Sequence, residues 1–342
     1  MKEKKLLYYF LFVVSCLSAL TCKHNLTGID LSENNYGAWQ LLRESNNNGY
    51  YLDLFFVDKN NGWATGESGK IIHTIDGGIS WEYQQTPLSI LIYSVCFINK
   101  DIGWACSENK IIKTTNGGEN WNIAFVDTVR SKFGTTDSSY KYYQQVYFKD
   151  ELNGWAVNES GELIHSSDGG YNWIKQAEWD FGGPANISFG DYNNGFIYCP
   201  GNNLLISLDG GNSWTRKNLD SIGYVNNIKF VSKNNGWIIT SNMYSNAVFT
   251  GSPVYHTTNG GINWISKAKI DDPLLTSITF TSIDNGWITG SKGIYQTIDG
   301  GNTWKADEIS DENGWFQKVF SVDEQNVWAI DFNGMIFKYI PN

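Results

Sequence analysis

One eight-residue pattern occurs six times along the 342-residue chain. It consists of Ser or Thr, any residue, Asp or Asn, two Gly, two further residues and Trp, and its first copy covers residues 74–81. Five of these eight positions are restricted, so chance does not explain six copies. The third and last positions of the copies are Asp76 and Trp81, Asn116 and Trp121, Asp168 and Trp173, Asp209 and Trp214, Asn259 and Trp264, and Asp299 and Trp304. Repetition of this kind fixes the architecture of a chain but not its function.

Each copy has the chemistry of a hairpin tip. An Asp or Asn at the start of a tight turn accepts backbone N–H bonds, and the two glycines adopt the positive φ values that the turn requires. The Ser or Thr hydroxyl can bond back into the turn, and the Trp begins the outgoing strand with a large face to bury. We therefore expect these Asp, Asn and Trp residues to be structural.

A second marker, Gly followed by an aromatic residue, precedes each copy. It occurs at Gly62, Gly103, Gly154, Gly195, Gly236 and Gly286, with a degraded seventh marker at Val327-Trp328. Successive glycines are 41, 51, 41, 41 and 50 residues apart, so the basic unit carries two insertions. Short β-branched and aromatic runs such as residues 54–57 precede the markers and predict strands. Four antiparallel strands per unit, named a to d with the eight-residue pattern as the c–d turn, predict an all-β, seven-bladed β-propeller of four-stranded antiparallel blades.

The two ends of the chain predict how the ring closes. The seventh unit stops at Asn342, where its fourth strand should follow, and residues 34–42 resemble the tail of the pattern with its Trp strand. We therefore expect the N-terminal strand to pair with the C-terminal blade, which leaves no open sheet edge. The expected propeller spans residues 33–342.

The eight-residue pattern resembles the Asp-box, or BNR, repeat, and it is called the Asp-box below. Residues 62–66 followed by residues 69–74 resemble the repeat of the photosystem II stability/assembly-factor family of seven-bladed propellers. The likeness covers residues 33–342 and implies a scaffold that holds a membrane-protein partner during assembly. Sialidases, xyloglucanases and sortilin-like receptors also carry Asp-boxes, so the repeat predicts the fold more specifically than the function.

The first 22 residues are typical of a bacterial signal peptide, because lysines precede an apolar run over residues 6–20 that is too short for a membrane helix. Cys16 and Cys22 both resemble lipobox cysteines, and we expect a lipid on one of them, followed by a linker over residues 23–32. The expected location is the cell envelope, in the periplasm or as an outer-membrane lipoprotein, with membrane contact through the lipid anchor only. A net charge of −10 argues against a nucleic-acid partner.

Cys96 and Cys106 flank a turn at residues 99–102. If this turn closes a hairpin, the two cysteines lie nearly opposite each other and could form a disulfide in an exported chain. The alternative is two small apolar residues in a buried sheet. Cys199 has no partner in either case.

The two insertions fall on one face of the disc. Asp-boxes and a–b turns share one face of an up-and-down blade, and the insertions lie in the opposite connections: a d–a connection between blades 2 and 3, and the b–c loop of blade 5. Insertions on one face often mark the binding side of a repeat array, and aromatic and Arg residues are typical anchors there. The expected partner-binding residues are Arg130, Lys132, Tyr140, Tyr142, Trp179, Phe181, Tyr244 and Phe249. Alternatively, these residues only fold the long loops onto the disc.

Catalytic signatures are missing from the sequence. A sialidase needs an arginine cluster, whereas this chain has three arginines, two of them expected on outer strands. No motif pairs the loop carboxylates as a glycosidase would need. His73, His165 and His256 fall in non-adjacent blades, so they cannot share a metal ion, and no nucleotide-binding motif occurs. We therefore expect no catalytic residue, metal or cofactor.

The function expected from the sequence is a non-catalytic binding or assembly scaffold for a protein of the envelope. The alternative is a glycan-binding or glycan-hydrolysing envelope protein of the Asp-box type. That alternative requires a groove on the loop face lined by Tyr140, Trp179 and Tyr244, with two opposed carboxylates.

Overall fold

The computed structural model describes residues 37–44, 50–128, 141–179, 185–199, 202–219, 222–241, 251–307, 309 and 314–342. In these ranges, 28 strands form seven four-stranded antiparallel sheets. Strand β1 (Ala38–Arg43) opens the described chain and belongs to blade 7. Blades 1 to 3 consist of β2 (Tyr51–Phe56), β3 (Gly62–Gly66), β4 (Ile71–Thr74) and β5 (Glu82–Gln84); β6 (Ser94–Phe97), β7 (Gly103–Cys106), β8 (Lys110–Thr114) and β9 (Asn122–Val126); and β10 (Tyr143–Phe148), β11 (Gly154–Asn158), β12 (Glu162–Ser166) and β13 (Ile174–Glu178).

Blades 4 to 7 continue the same order of strands. They consist of β14 (Asn186–Phe189), β15 (Gly195–Cys199), β16 (Asn203–Ser207) and β17 (Thr215–Asn218); β18 (Tyr224–Phe230), β19 (Gly236–Ser241), β20 (Ser252–Thr257) and β21 (Ile265–Ile270); β22 (Leu275–Phe280), β23 (Gly286–Gly290), β24 (Ile294–Thr297) and β25 (Lys305–Ala306); and β26 (Phe316–Asp323), β27 (Asn326–Asp331) and β28 (Ile336–Ile340). A 3-10 turn covers Glu67–Gly69. Within the described ranges, no helix is long and apolar enough to cross a membrane.

The seven first strands form a closed inner ring. Each of them contacts the first strand of the next blade, and β26 of the last blade contacts β2 of the first. The outermost strand of blade 7 comes from the other end of the chain: β1 pairs antiparallel with β28, with Ala38 opposite Ile340 and Trp39 opposite Tyr339. The seven-bladed all-β propeller predicted from the repeat is confirmed, and one blade contains both ends of the described chain.

The Asp-boxes form the c–d turns. In blade 1 the Asp76 carboxylate accepts hydrogen bonds from the Thr74 hydroxyl at 2.8 Å and from the Ser80 backbone amide at 2.9 Å, while Thr74 accepts from Gly78 N–H at 2.8 Å. Gly77 and Gly78 have φ values of 74° and 96°, a region that other residues rarely adopt. The same bonds recur in the other five Asp-boxes. The Asp and Asn oxygens are therefore occupied by the turn.

The Gly-Trp markers join neighbouring blades. Trp104 on β7 is fully buried, stacks on Phe148 of the next blade at 3.6 Å between ring centroids, and donates from Nε1 to the Gly169 carbonyl at 2.9 Å. Equivalent stacked pairs are Trp63 with Phe97, Trp237 with Phe280 and Trp328 with Phe56. The Asp-box tryptophans approach the same phenylalanines edge-on, as Trp173 does with Phe148 at 5.8 Å. They can also bond to the preceding blade, as Trp121 Nε1 does by donating to Gln84 Oε1 at 3.1 Å.

The predicted disulfide is not present. Cys96 lies opposite Trp104 in the β6–β7 hairpin, and Cys106 lies opposite Ser94, so the two cysteines are offset by one diagonal step rather than paired. Both thiols are free and buried, and burial raises the pKa of Cys96 to about 12. Diagonal neighbours in a sheet are too far apart for a disulfide without movement of the backbone. The alternative interpretation, small apolar residues in a buried sheet, describes both residues.

Candidate partner-binding surface

The strands place two different sets of connections at the two faces of the disc. Each Asp-box lies against the a–b turn of its own blade, as shown by the bonds from Gly77 N–H to the Asn60 carbonyl and from Gly169 N–H to the Leu152 carbonyl, both at 2.9 Å. We call this side the box face. The residues that precede each first strand and follow each second strand lie on the other side, which we call the loop face.

Most residues predicted to bind a partner lie outside the described ranges. These are Arg130, Lys132, Tyr140, Phe181, Tyr244 and Phe249, and for them the assignment remains a prediction. The lipid-attachment candidates Cys16 and Cys22 also lie outside. Tyr142 and Trp179 lie within the described ranges. Trp179 is buried, whereas Tyr142 is partly exposed.

Trp179 is not an exposed anchor. Only 2% of its surface is accessible, and it packs in the core between blades 3 and 4 with Leu163, Ala185 and Ile187. Its backbone N–H donates to the Gly161 carbonyl at 2.8 Å, which holds the end of the outer strand against the b–c loop. The prediction that Trp179 is an exposed partner-binding residue is therefore wrong. The residue follows an outer strand, and the next blade covers its indole. A glycan groove on this face would also lack this ring.

Tyr142 lies at the rim of the central channel and belongs to a larger set. The residue directly before the inner strand is aromatic in four consecutive blades around the ring, namely blades 7, 1, 2 and 3, where it is Trp315, Tyr50, Tyr93 and Tyr142. In blades 4, 5 and 6 the same position holds Ala185, Gly223 and Leu274. All four aromatic side chains are partly exposed. We call these four residues the aromatic rim.

Backbone hydrogen bonds fix the aromatic rim. Glu67 N–H donates to the Tyr50 carbonyl at 3.3 Å, and Glu159 N–H donates to the Tyr142 carbonyl at 3.0 Å. In blade 7, Phe332 N–H donates in the same way to the Trp315 carbonyl at 2.9 Å, and the two rings meet edge-on at 5.5 Å. These bonds add one rung to the a–b hairpins of blades 1, 3 and 7, so the b–c loop of each blade holds its rim residue. Tyr93 is held instead by its backbone N–H, which donates to the Cys106 carbonyl at 2.9 Å.

Carboxylates surround the tyrosines of the rim. Tyr93 and Tyr142 meet edge-on at 6.3 Å between ring centroids, and the Tyr142 backbone N–H donates to the Glu159 carboxylate. Burial, together with the nearby Glu108 and Glu159 carboxylates, raises the pKa of Tyr142. Burial and Glu67 raise the pKa of Tyr50 in the same way. The tyrosine hydroxyls therefore stay protonated at neutral pH and can donate hydrogen bonds to a ligand at the rim.

A buried ion cluster holds both ends of the first insertion. Lys141 Nζ lies 2.7 Å from the Glu162 carboxylate and 3.5 Å from that of Asp127, and the Tyr143 hydroxyl donates to Asp127 at 2.7 Å. All four side chains are buried. Asp127 is thus paired within the fold and does not serve as a free catalytic carboxylate.

The three equivalent histidines contribute to packing. Their rings stack on the tryptophan of the neighbouring strand in the same blade, with centroid distances of 4.5, 4.8 and 4.5 Å for His73 on Trp63, His165 on Trp155 and His256 on Trp237. Burial lowers the pKa of each imidazole, so the rings are neutral at pH 7.

Fold and turns together define a seven-bladed Asp-box β-propeller. A family model described as "Photosynthesis system II assembly factor YCF48" matches residues 31–128 and 80–179. The photosystem II assembly lipoprotein Ycf48 of Synechococcus sp. (strain CC9902) is 30% identical over 82 residues, an alignment that spans 22% of this chain and 24% of that protein. The chain is an Asp-box β-propeller that resembles the photosystem II assembly factors.

Two solved structures share the fold over nearly the whole chain. YCF48 bound to D1 peptide has a TM-score of 0.69 at 20% identity, covering 91% of this chain and 97% of that one. YCF48 from Cyanidioschyzon merolae has a TM-score of 0.71 at 19% identity, covering 89% and 99%. At these identities the likeness establishes the fold. The family model and the Synechococcus relative are named as assembly factors. Two solved GH74 enzymes also share the fold, with TM-scores of 0.55 and 0.64 at 13% and 14% identity, and this likeness shows the fold alone.

Proposed function

We propose that this chain is an exported, lipid-anchored scaffold that binds a protein partner in the cell envelope without converting it, and that it docks through the loop face. The named relatives support the general role, because they are assembly factors and one was solved with a peptide of another protein. The Synechococcus relative is named as a lipoprotein, which supports the anchor expected at Cys16 or Cys22.

The aromatic rim carries the proposal for the loop face. Tyr and Trp are enriched at protein interfaces because they bury a large apolar area and keep a polar group for hydrogen bonding. Here Trp315, Tyr50, Tyr93 and Tyr142 follow one another around half of the channel mouth, and their backbones are held in place before any partner binds. A partner therefore meets an ordered surface, which lowers the entropic cost of binding.

Replacement of two rim residues tests this docking face. The Tyr93→Ala/Tyr142→Ala variant and the wild-type chain would be used to retain proteins from detergent-solubilised envelopes of the producing organism. We expect an envelope protein that the wild type retains to be lost by the rim variant, because the removed rings form adjacent parts of the rim. An Ile123→Ser/Val126→Ser variant on the outer strand β9 is the matched control and should retain that protein.

Photocrosslinking gives a second, direct measurement. A photoreactive phenylalanine at position 93 should crosslink to the retained protein, whereas the same group at position 123, on an outer strand, should not. Equal retention by the rim variant, together with equal crosslinking from both positions, would contradict docking through the loop face.

The lipid anchor is tested separately. Radiolabelled fatty acid should be incorporated into the full chain, and either Cys16→Ser or Cys22→Ser should abolish incorporation while the other leaves it unchanged. Incorporation that survives both substitutions, or that is absent from the wild type, would contradict the anchor without bearing on the docking face.

A further inference from the structure

The box face exposes large apolar side chains that the turns do not need. Ile79, Leu208 and Ile75 expose 74, 73 and 70% of their surface, and all three occupy unrestricted positions of Asp-boxes. The Asp-boxes and a–b turns of the described chain also expose Leu152, Tyr171, Tyr192, Ile262, Ile283 and Ile298. The bonds of an Asp-box come from the Ser or Thr, the Asp or Asn and the backbone, so these apolar residues do not maintain the turn.

Two of the nine have a role within the fold. The Tyr171 ring lies 4.8 Å from Lys113 Nζ, and the Tyr192 ring lies 4.4 Å from Lys149 Nζ. These contacts bring each tyrosine against a lysine of the preceding blade. The isoleucines and leucines expose their side chains to water. Monomeric proteins seldom keep many exposed apolar residues on one face unless a partner covers them.

The same face carries more carboxylates than lysines. Its a–b turns and Asp-boxes carry Asp58, Asp76, Asp101, Glu119, Asp150, Glu151, Asp168, Asp191, Asp209, Asp284, Asp299, Asp323 and Glu324, whereas the lysines in these turns are Lys59, Lys100, Lys149 and Lys233. Lys113, Lys217 and Lys267 reach the Asp-box of the next blade from their strands. Hydrogen bonds from the Ser213 hydroxyl and backbone amide lower the pKa of Asp209 to about 2. The carboxylates that build the turns therefore stay ionised at neutral pH.

Charge decides between the possible occupants of this apolar, acidic face. A second copy would bring the same acidic face against it, and a bilayer with anionic lipids would also be repelled. A cationic surface would be attracted, and apolar side chains on it could cover the isoleucines. We propose that the box face is a second docking surface, separate from the aromatic rim, and that it binds a protein segment presenting lysine or arginine between apolar residues.

Binding of simple peptides tests this proposal on the full chain. The probe is a short fluorescent peptide of alternating lysine and leucine, compared with one of lysine and serine and one of glutamate and leucine. We expect the lysine–leucine peptide to bind most tightly, the lysine–serine peptide to bind weakly, and the glutamate–leucine peptide not to bind. Added salt should weaken the lysine–leucine complex, because opposite charges attract across it.

Two double variants locate the binding site. Ile75→Ser/Ile79→Ser, within one Asp-box, should weaken binding of the lysine–leucine peptide by about tenfold or more, since two neighbouring apolar contacts are lost. Ile123→Ser/Val126→Ser, which removes exposed apolar residues from the outer strand β9, is the matched control and should leave the affinity unchanged. All four substituted residues are exposed, so both variants should fold.

Other outcomes would overturn the proposal. An equal loss of peptide affinity in both double variants would show that the peptide adsorbs non-specifically to the protein surface. Loss only in Tyr93→Ala/Tyr142→Ala would assign the peptide to the rim. Adsorption to phosphatidylcholine or phosphatidylglycerol vesicles that Ile75→Ser/Ile79→Ser abolishes would assign the apolar residues to a membrane. Dimerisation in sedimentation that the same variant abolishes would assign them to a second copy. None of these results would bear on retention of an envelope protein by the rim.

Discussion

Trp328 Nε1 donates a 2.9 Å hydrogen bond to the carbonyl oxygen of Gly77, a residue 251 positions earlier in the chain. The same indole stacks on Phe56 at 3.6 Å between ring centroids. Trp328 belongs to the last blade and Gly77 to the Asp-box of the first. The same bond from an indole Nε1 to a glycine carbonyl joins Trp63 to Gly117, Trp104 to Gly169 and Trp237 to Gly300 in neighbouring blades. In Trp328 and Gly77 it joins the last blade to the first.

Replacement of Trp328 should weaken the closed ring. We expect Trp328→Ala to lower the free energy of unfolding by about 3–5 kcal/mol, because a fully buried aromatic ring is removed. Trp328→Phe should cost less, because it keeps an aromatic ring for stacking and loses the hydrogen bond to Gly77. Denaturant unfolding measures both, and Ile79→Ser is the exposed control, expected within about 0.5 kcal/mol of wild type. A cost no greater than that of the control would contradict this role.

Asp307 should make stability depend on pH. Burial raises its pKa to about 7, although the Trp39 indole, which donates to it at 2.7 Å, and Lys305 both lower it. An unfolded Asp has a pKa of about 3.9, so the folded state holds its proton more tightly. The stabilisation from this proton is full below about pH 4 and is lost as pH rises through 7.

The substitution Asp307→Asn removes this titration and keeps an oxygen for Trp39. The variant should therefore match wild type at about pH 4 and have a higher melting temperature than wild type at about pH 8. Glu119→Gln, which removes an exposed carboxylate, is the control. A melting-temperature difference between Asp307→Asn and wild type that does not change with pH would contradict the raised pKa.

The buried cysteines should be reduced even after export. The offset between Cys96 and Cys106 predicts that dithiothreitol leaves the melting temperature unchanged, because no disulfide between them supports the fold. Thiol-specific labelling should modify Cys96, Cys106 and Cys199 only after unfolding, since all three are buried. Protection of the first two from labelling in the unfolded chain, reversed by reductant, would reveal a disulfide.

Lys141 should be more important for stability than an exposed lysine. Lys141→Met leaves Asp127 and Glu162 buried without their cation, and we expect a loss of about 3–5 kcal/mol in the free energy of unfolding. Lys100→Met is the control, because the Lys100–Asp101 pair is exposed. If the charges matter as proposed, adding Asp127→Asn and Glu162→Gln to Lys141→Met should recover part of the loss.

The fold was predictable because its signals are local and repeated. An Asp-box specifies its own turn within eight residues, and the spacing of the Gly-Trp markers counts the blades. The sequence did not predict in this way which of the two kinds of tryptophan stacks on the phenylalanine. Both the marker Trp and the Asp-box Trp are large apolar residues near strand ends, and only the position of the next blade decides which one stacks on its phenylalanine.

The candidate surfaces were harder to find for physical reasons. The disulfide prediction depended on a register, and the turn at residues 99–102 places Cys106 opposite Ser94 instead of Cys96. Trp179 follows an outer strand and looked exposed, but the next blade covers it. The aromatic rim has a signal in the sequence, an aromatic residue before the inner strand in four consecutive blades. The exposed isoleucines occupy unrestricted positions of the Asp-box, so the repeat pattern predicts no role for them.

The pairing of β1 with β28 also determines how the ring responds to force. Ala38 and Ile340 form the outermost pair of this ladder, and Gly37 fits so closely against Ile340 that a side chain there would meet its carbonyl oxygen at 2.2 Å. A pull on the preceding chain, directed outward from the edge of the disc and so across the strands, acts on this pair first and then on Trp39–Tyr339 and its successors in turn. The ladder would then unzip one pair at a time instead of shearing as a whole, so tension on the N-terminus opens blade 7 before any other blade.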